Sequence, residues 1–562
     1  MKHPYYILGL AVALAVATPS FAQNDGDRND GKYNPTVSGS IQSDMLAPTG
    51  SQSDGSHEDF RTNTFVDLNV MSKYIDAGAR FEYREHQLPG YEDGFKGYGV
   101  PYVYLKAKLK NFEVTVGNFY EQFGSGFVLR TYEERSLGID NSLLGARVVT
   151  TPVKGVRLKA LTGQQRRYWA HNDSWVSGAD VELSLDSWFK GLAQSGTSLT
   201  LGGSFVNKNE RNDEDVPFNG NYRLVMPRNV NAWDARVTLN THGFNVLAEY
   251  AQKTADPSFK NKYIYRKGTA AMLSASYSKK GFSVLAQAKR SDNFFFNSYR
   301  AESDRQSAIN HLPAFTMDQT YALAALYPYG TRLDGEWAYQ GQLGYKFKRK
   351  TAIGGKYGMM VKVNFSHVRG IDQNPRSLTV NVPEPTVLTG RGTDGYGSAF
   401  WKWGKGGMYY QDLNVQIDRR FTRDFKLSLM YMNQFYNKTV VEGEGGMIHS
   451  NIFIADALFN LSPKTRLRTE LQYLTTGEDE HDWLFALAEL SLVPHWMFTV
   501  SDQYNVGLTD AHYWQTFVTY NTGAHRVQLG WGRTRAGFNC SGGVCRYVPE
   551  TKGFTLSYNY NF

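Results

Sequence analysis

The segment Tyr120–Asn141 holds an unusual density of charge and glycine: Glu121, Arg130, Glu133, Glu134 and Arg135, with Gly124 and Gly126 among them. Arginine and carboxylate in one short stretch can make charge-assisted, two-pronged hydrogen bonds in a confined wet space. The glycines permit sharp backbone turns. That chemistry suits an ion-lined constriction or partial plug; an external loop held by its own salt bridges is the plainer alternative. Charged residues at alternate positions flank the segment, as Arg80, Glu82 and Arg84 before it and Arg147, Arg157 and Lys159 after it, with Lys106, Lys108 and Glu113 between. Asp412, Asp418, Arg466, Arg468 and Glu470 repeat the pattern later. Such rows of both signs set ion selectivity where they line a pore, and the basic tilt of the first half hints at anionic solutes.

Signatures of bond-making chemistry are missing. The chain has no Gly-x-Ser-x-Gly, no His-Glu-x-x-His, no phosphate loop and no Cys-x-x-Cys. His449, His481, Asp482 and His512 are the residues a hydrolase would have to use, and loop polarity explains them more simply. Glu478–Asp482 could hold a cation but reads better as an exposed acidic loop. No catalytic residue, metal centre or cofactor is therefore expected. Trp401, Lys402, Trp403 and Gly404 with Tyr409 and Tyr410 could stack on sugar rings, and Phe294–Phe296 could grip an apolar partner. Interfacial anchoring and loop packing account for both. Cys540 and Cys545 suggest a small loop disulfide in an exported protein; a two-cysteine metal site lacks a nearby histidine.

The elements that must position these residues have period two. Val103, Leu105, Ala107 and Leu109 alternate with Tyr104, Lys106, Lys108 and Lys110, and Leu413, Val415 and Ile417 alternate with Asn414 and Gln416. Leu467, Leu471 and Tyr473 alternate with Arg468, Glu470 and Gln472. One face suits lipid, the other water. A hydrophobic content of 41% and a mean hydropathy of −0.46 exclude a bundle of membrane helices, yet suit strands that need an apolar residue only at every second position. Aromatics, 14% of the chain, gather at expected strand ends, as Tyr409, Tyr410, Tyr431, Trp483, Trp496 and Trp514, where a membrane belt would place them. The net charge of +8 is dispersed, so nucleic acid is not an expected partner.

Connections alternate short and long when followed back from Phe562. Thr522–Ala524, Val493–His495, Ser462–Lys464 and Thr241–Gly243 are tight-turn compositions. Residues 537–549, 369–405, 291–334, 207–229 and 120–141 form the long set. Short periplasmic turns with long external loops are the habit of outer-membrane barrels. The expectation is a single all-β, antiparallel, up-and-down transmembrane β-barrel over residues 36–562, with about 24 strands (22–26). Residues 316–326 and 378–388 are open as strands or loop excursions. Met1–Ala22 has the positive start, apolar core and small-residue end of a cleavable signal peptide, which implies export to the outer membrane. Residues 23–35 form a flexible lead-in too short to plug such a lumen.

The chain closes on Tyr558-Asn559-Tyr560-Asn561-Phe562, which resembles the terminal aromatic signal read by the barrel-assembly machinery. From Phe81 to Arg147 the likeness is more specific: Phe-Glu-Tyr-Arg at 81–84, Leu-Pro-Gly-Tyr-Glu at 88–92, Val-Gly-Asn-Phe-Tyr-Glu-Gln-Phe-Gly-Ser-Gly at 116–126 and Leu-Gly-Ile-Asp-Asn-Ser-Leu at 137–143. This stretch is similar to a family of large Gram-negative outer-membrane barrels with no assigned function. The resemblance implies barrel and location and carries over no catalytic residue. Expected partners are outer-membrane lipid and lipopolysaccharide, the assembly machinery at Tyr558, Tyr560 and Phe562, and a small-molecule solute; the oligomeric state is open. The leading expectation is a channel for small solutes, before a scaffold in a larger assembly or a membrane-embedded hydrolase.

Overall fold

The computed structural model describes residues 35–50, 60–211, 216–218, 221–303, 305–380 and 386–562. The expected signal peptide and all of the lead-in but Pro35 lie outside them.

Twenty-four antiparallel strands form one sheet. The first twelve are β1 Thr36–Pro48, β2 Arg61–Met71, β3 Ile75–Arg84, β4 Gly97–Leu109, β5 Phe112–Phe119, β6 Leu143–Thr150, β7 Val156–Arg167, β8 Ala170–Ser184, β9 Thr197–Asn209, β10 Asn229–Thr241, β11 Phe244–Lys253 and β12 Gly268–Lys279. The second twelve are β13 Phe282–Asp292, β14 Gly335–Phe347, β15 Met359–Ile371, β16 Trp403–Arg420, β17 Phe425–Asn437, β18 Met447–Ser462, β19 Thr465–Thr475, β20 Asp482–Leu492, β21 Trp496–Val506, β22 His512–Thr522, β23 His525–Thr534 and β24 Thr551–Asn561. Each pairs with its neighbours in sequence. β1 then pairs with β24, from Ser40 opposite Asn561 to Pro48 opposite Gly553, so the sheet closes and no edge is left open. The Gly39 and Phe562 backbones exchange hydrogen bonds of 2.9 and 3.0 Å at the seam.

Alternation along the strands decides what faces outward. Leu105, Leu273, Phe453, Leu471, Val500 and Phe554 are each about half exposed, on strands whose alternate residues turn inward. An apolar band of this extent demands an apolar solvent. Among the described residues no helix is long and apolar enough to cross a membrane.

One end of the barrel has the short turns and the other the long loops, with the parity expected from sequence. At the long-loop end β7 and β8 are joined by Tyr168 and Trp169 alone. Residues 316–326 are a loop excursion, and so are the described residues of 378–387; a three-residue strand starts only at Leu388. Gly145 shows how closely the strands approach: a Cβ there would lie 2.0 Å from the Thr162 carbonyl oxygen.

Candidate functional site

The site is the lumen at the long-loop end. The β5–β6 loop, residues 120–142, turns into the barrel. Phe123, Phe127, Val128 and Leu129 are fully buried in it. Gly126, at φ 95°, makes the turn that brings Arg130 back over the loop. A second segment, residues 293–334 between β13 and β14, packs on the first. Arg130 N–H donates to the Ile309 carbonyl at 2.8 Å, His311 N–H to the Gly126 carbonyl at 2.9 Å, and Asn141 Nδ2 to the Ala308 carbonyl at 2.9 Å. The two segments share an apolar core with inward residues of the wall, among them Val176, Val206, Ala251, Met432, Ile452 and Leu474. On the far wall Leu323 N–H donates to Gln472 Oε1 at 2.8 Å.

A buried ion network pins the first segment to the near wall. Arg80 of β3 reaches Asp67 Oδ1 (2.7 Å), Glu133 Oε2 (2.8 Å) and Asp140 Oδ2 (3.0 Å). Arg166 of β7 grips Glu82 with both Nη atoms, at 2.9 and 3.0 Å, and reaches Asp140 at 2.5 Å. Glu82, Asp140 and Arg166 are each at most 1% exposed. Pairing is what makes such burial tolerable. Burial alone would raise the Asp140 carboxyl; Arg166 and Arg80 overcome it and hold the group below its usual range. For Glu133 burial wins over Arg80 and Arg135, and the carboxyl is raised.

The other expected residues fall around this network. Arg135 bonds Asp67 (2.7 Å) and Glu133 (2.6 Å) and lies over the Phe65 ring. Arg84 pairs with Glu82 at 3.1 Å and lies over the Phe65 and Phe95 rings. Glu121 takes Lys159 at 2.8 Å and Arg147, which also holds Glu113 at 2.6 Å. Burial raises Glu121, and these two cations bring it below its ordinary value. Arg130 covers the Tyr132 ring at 4.7 Å. Glu134 stands apart: it caps the short turn at Ser136 and does not meet the wall network. Toward the short turns the network opens on a cavity of about 520 Å³ lined by Asp67, Asn69, Arg80, Tyr102, Tyr104 and Lys106.

The sequence did not single out Asp67 or Arg166; Asp140 fell within the 120–141 segment without a role of its own, and residues 291–334 were expected only as one of the long external loops. Asp67 pairs opposite Arg80 and has its inward parity, which was the available signal. Arg166 has the parity of the outward Leu158 and is buried only where β7 meets the loops, so alternation gave no signal for it. Several aromatics are placed differently from expectation. Tyr410 and Trp483 point inward, 3% and 1% exposed, against the plug core instead of a membrane interface. Phe294 and Phe296 are fully buried within the plug and offer no grip to a partner. Trp496 and Tyr431 do face outward, and Trp401 is 82% exposed; the Trp403 and Gly404 side-chain positions lie outside the described residues.

His449 stacks on Phe435 and His512 pairs with Asp502 at 2.7 Å. Among the described residues no three His, Cys, Asp or Glu side chains are arranged to hold a metal ion. Cys540 and Cys545 face each other across the 537–548 hairpin and are joined as a disulfide. In β24, Tyr560 stacks on His525 at 4.2 Å, the Tyr558 hydroxyl lies 2.9 Å from His525 Nδ1, and Phe562 packs at Gly39.

A family model matches residues 2–562. The chain belongs to DUF6029, a family of unknown function. The DUF6029 chain has no match among curated proteins. It is similar in fold to a cryo-EM structure of an E. coli P pilus tip assembly intermediate, PapC-PapD-PapK-PapG, at 8% identity and TM-score 0.50, covering 95% of this chain and 62% of that one. The P pilus usher (PapC) translocation pore matches at 9% identity and TM-score 0.43, over 94% and 99% of the two chains. The siderophore receptor PirA from Pseudomonas aeruginosa matches at 11% and 0.41, over 94% and 81%. The DUF6029 chain is thus a closed 24-strand barrel of the outer-membrane kind.

Proposed function

We propose that this chain is an outer-membrane channel for small solutes, exported through a signal peptide over residues 1–22, whose passage is set by its own loops. The short turns then face the periplasm, the long loops face outside, and Tyr558, Tyr560 and Phe562 serve barrel assembly. One observation carries the reading: the inward face is sealed at one end and accessible at the other. Along β9, Ser204, Val206 and Lys208 are buried at the loop end, while Ser198 and Thr200 are half-buried toward the turns. Along β19, Glu470, Gln472 and Leu474 are buried while Arg466 is exposed. A barrel this wide must hold water or a plug, and here segments 120–142 and 293–334 supply the plug. Loops belonging to the chain itself can rearrange in place, as an embedded structural core cannot.

The test is planar-bilayer conductance of the purified barrel with Phe123–Glu134 deleted. The intact protein should conduct poorly, and the deletion should raise both conductance and the size limit for neutral solutes. Equal conductance and size limit in the two proteins refutes the constriction.

A further inference from the structure

Four consecutive turns at the short-turn end, residues 280–281, 348–358, 421–424 and 463–464, close the hairpins β12–β13, β14–β15, β16–β17 and β18–β19. The strands between those hairpins pair in turn, so the four turns lie side by side along one arc of the rim. Lys280, Lys348, Arg349, Lys350, Lys356, Arg423 and Lys464 lie in them, against a single carboxylate, Asp424. All seven cations are exposed. Among the described residues none of the seven has a carboxylate within ion-pair distance, so the charge is presented outward and not consumed by the fold.

The side chains just inside this arc say what the charge meets. Tyr277, Phe282, Phe421, Phe425 and Phe459 lie at the same strand ends and share the parity of the outward apolar band, and Phe425 stacks between Phe421 and Phe459 at 5.6 and 5.0 Å. Cations lean over these rings: Arg419 lies 4.9 Å from the Phe421 centroid, and Lys279 lies 5.8 Å from that of Phe282. An outward aromatic belt marks the depth of the headgroup boundary, and long basic side chains beside it reach to phosphate level. We infer that this arc is a binding surface for anionic phospholipid headgroups of the leaflet on the short-turn side. The inference rests on the membrane reading above. A solvated basic face would need no aromatic belt directly beneath it. A docking site for an acidic protein would not need its cations spread over four hairpins at one depth.

The experiment uses the full-length barrel in lipid nanodiscs, with spin-labelled phosphatidylglycerol and phosphatidylcholine as probes. At low salt the wild type should favour phosphatidylglycerol by roughly fivefold, the effect of about one fully engaged cation. The preference should collapse in about 1 M salt, where screening falls to ~3 Å. It should also collapse in K348Q/R349Q/K350Q/K356Q. Millimolar inorganic phosphate should leave it in place, since a headgroup held at the belt is retained by its chains; displacement by phosphate would mark a free-anion site and overturn the lipid assignment. No preference in the wild type, or full preference in the quadruple variant, overturns it as well. A heat-modifiable gel shift, measured on the same samples, keeps the two levels apart. A shift without lipid preference sinks this inference alone, and loss of the shift in the wild type sinks the barrel reading with it.

Discussion

Acidification should loosen the plug through His311. This residue sits in the 293–334 segment, 7% exposed, beside Arg130 and Lys289, with its ring edge-on to Tyr132 at 6.0 Å. Burial first, then Arg130 and Lys289, lower its pKa from 6.5 to about 3. It is held neutral in the packed plug and regains its ordinary value when the plug unpacks. The unpacked form therefore binds the extra proton between these values, and packing weakens as pH falls below 6.5. At pH 5 the difference is 1.5 pH units, which at 1.36 kcal/mol per unit is about 2 kcal/mol, or roughly thirtyfold in the packed-to-open ratio. Protons can reach the group, because His311 lines a cavity of about 330 Å³ between its own segment and the 537–548 hairpin. Asp140 does not interfere: its carboxyl is held below 3.8, so its contribution is lost only at lower pH. Glu133 works the other way, since burial raises it above 4.5 and protonation there favours packing. Comparison of wild type with His311→Gln isolates the histidine. In planar bilayers the wild type should open far more often with the loop side at pH 5 than at pH 7.5, and His311→Gln should lose most of that difference. An equal pH response in both proteins would refute the assignment.

Two further outcomes follow from the same packing. Arg166→Met leaves the buried Glu82 and Asp140 carboxylates with Arg80 and Arg84 as their remaining cations. The cost should be about 3–5 kcal/mol, read as a lower urea midpoint for the protein in vesicles; an unchanged midpoint contradicts the network. Leu471, 63% exposed at the middle of β19, should meet lipid, so Leu471→Arg should cost about 2–4 kcal/mol of membrane-inserted stability while leaving the plug contacts alone. A neutral effect in vesicles would mean that the outward band does not face hydrocarbon.

The architecture was legible because closure leaves so little choice. Period-two alternation, turn residues and the short–long rhythm of connections together specify strand number to within the two ambiguous segments. The charge-rich segment 120–141 turns into the barrel, and Arg80 of β3 is the hub of the ion network that holds it there. What the sequence hid is the identity of the solvent inside. An alternating strand tells which residues share a face, and the reading took the apolar face as lipid and the polar face as lumen. That holds where the inward face is accessible, as at Arg466 and Arg468. It fails where a loop core covers that face, because there both faces are apolar. β18 carries the trace of this: Ile452, Phe453 and Ile454 run together, with the two isoleucines 0% and 4% exposed against the plug and the phenylalanine 49% exposed outward. Trp483 and Tyr410 belong to the same class. Each lies in the loop-side half of its strand, and each looks like a belt aromatic until the chain that covers it is known. Loss of alternation confined to the loop-side halves of strands is therefore the sequence mark of a lumen filled by its own loops. It follows from covalent geometry alone: neighbouring side chains on a strand must point to opposite faces, so a run of apolar residues has to bury one set inside.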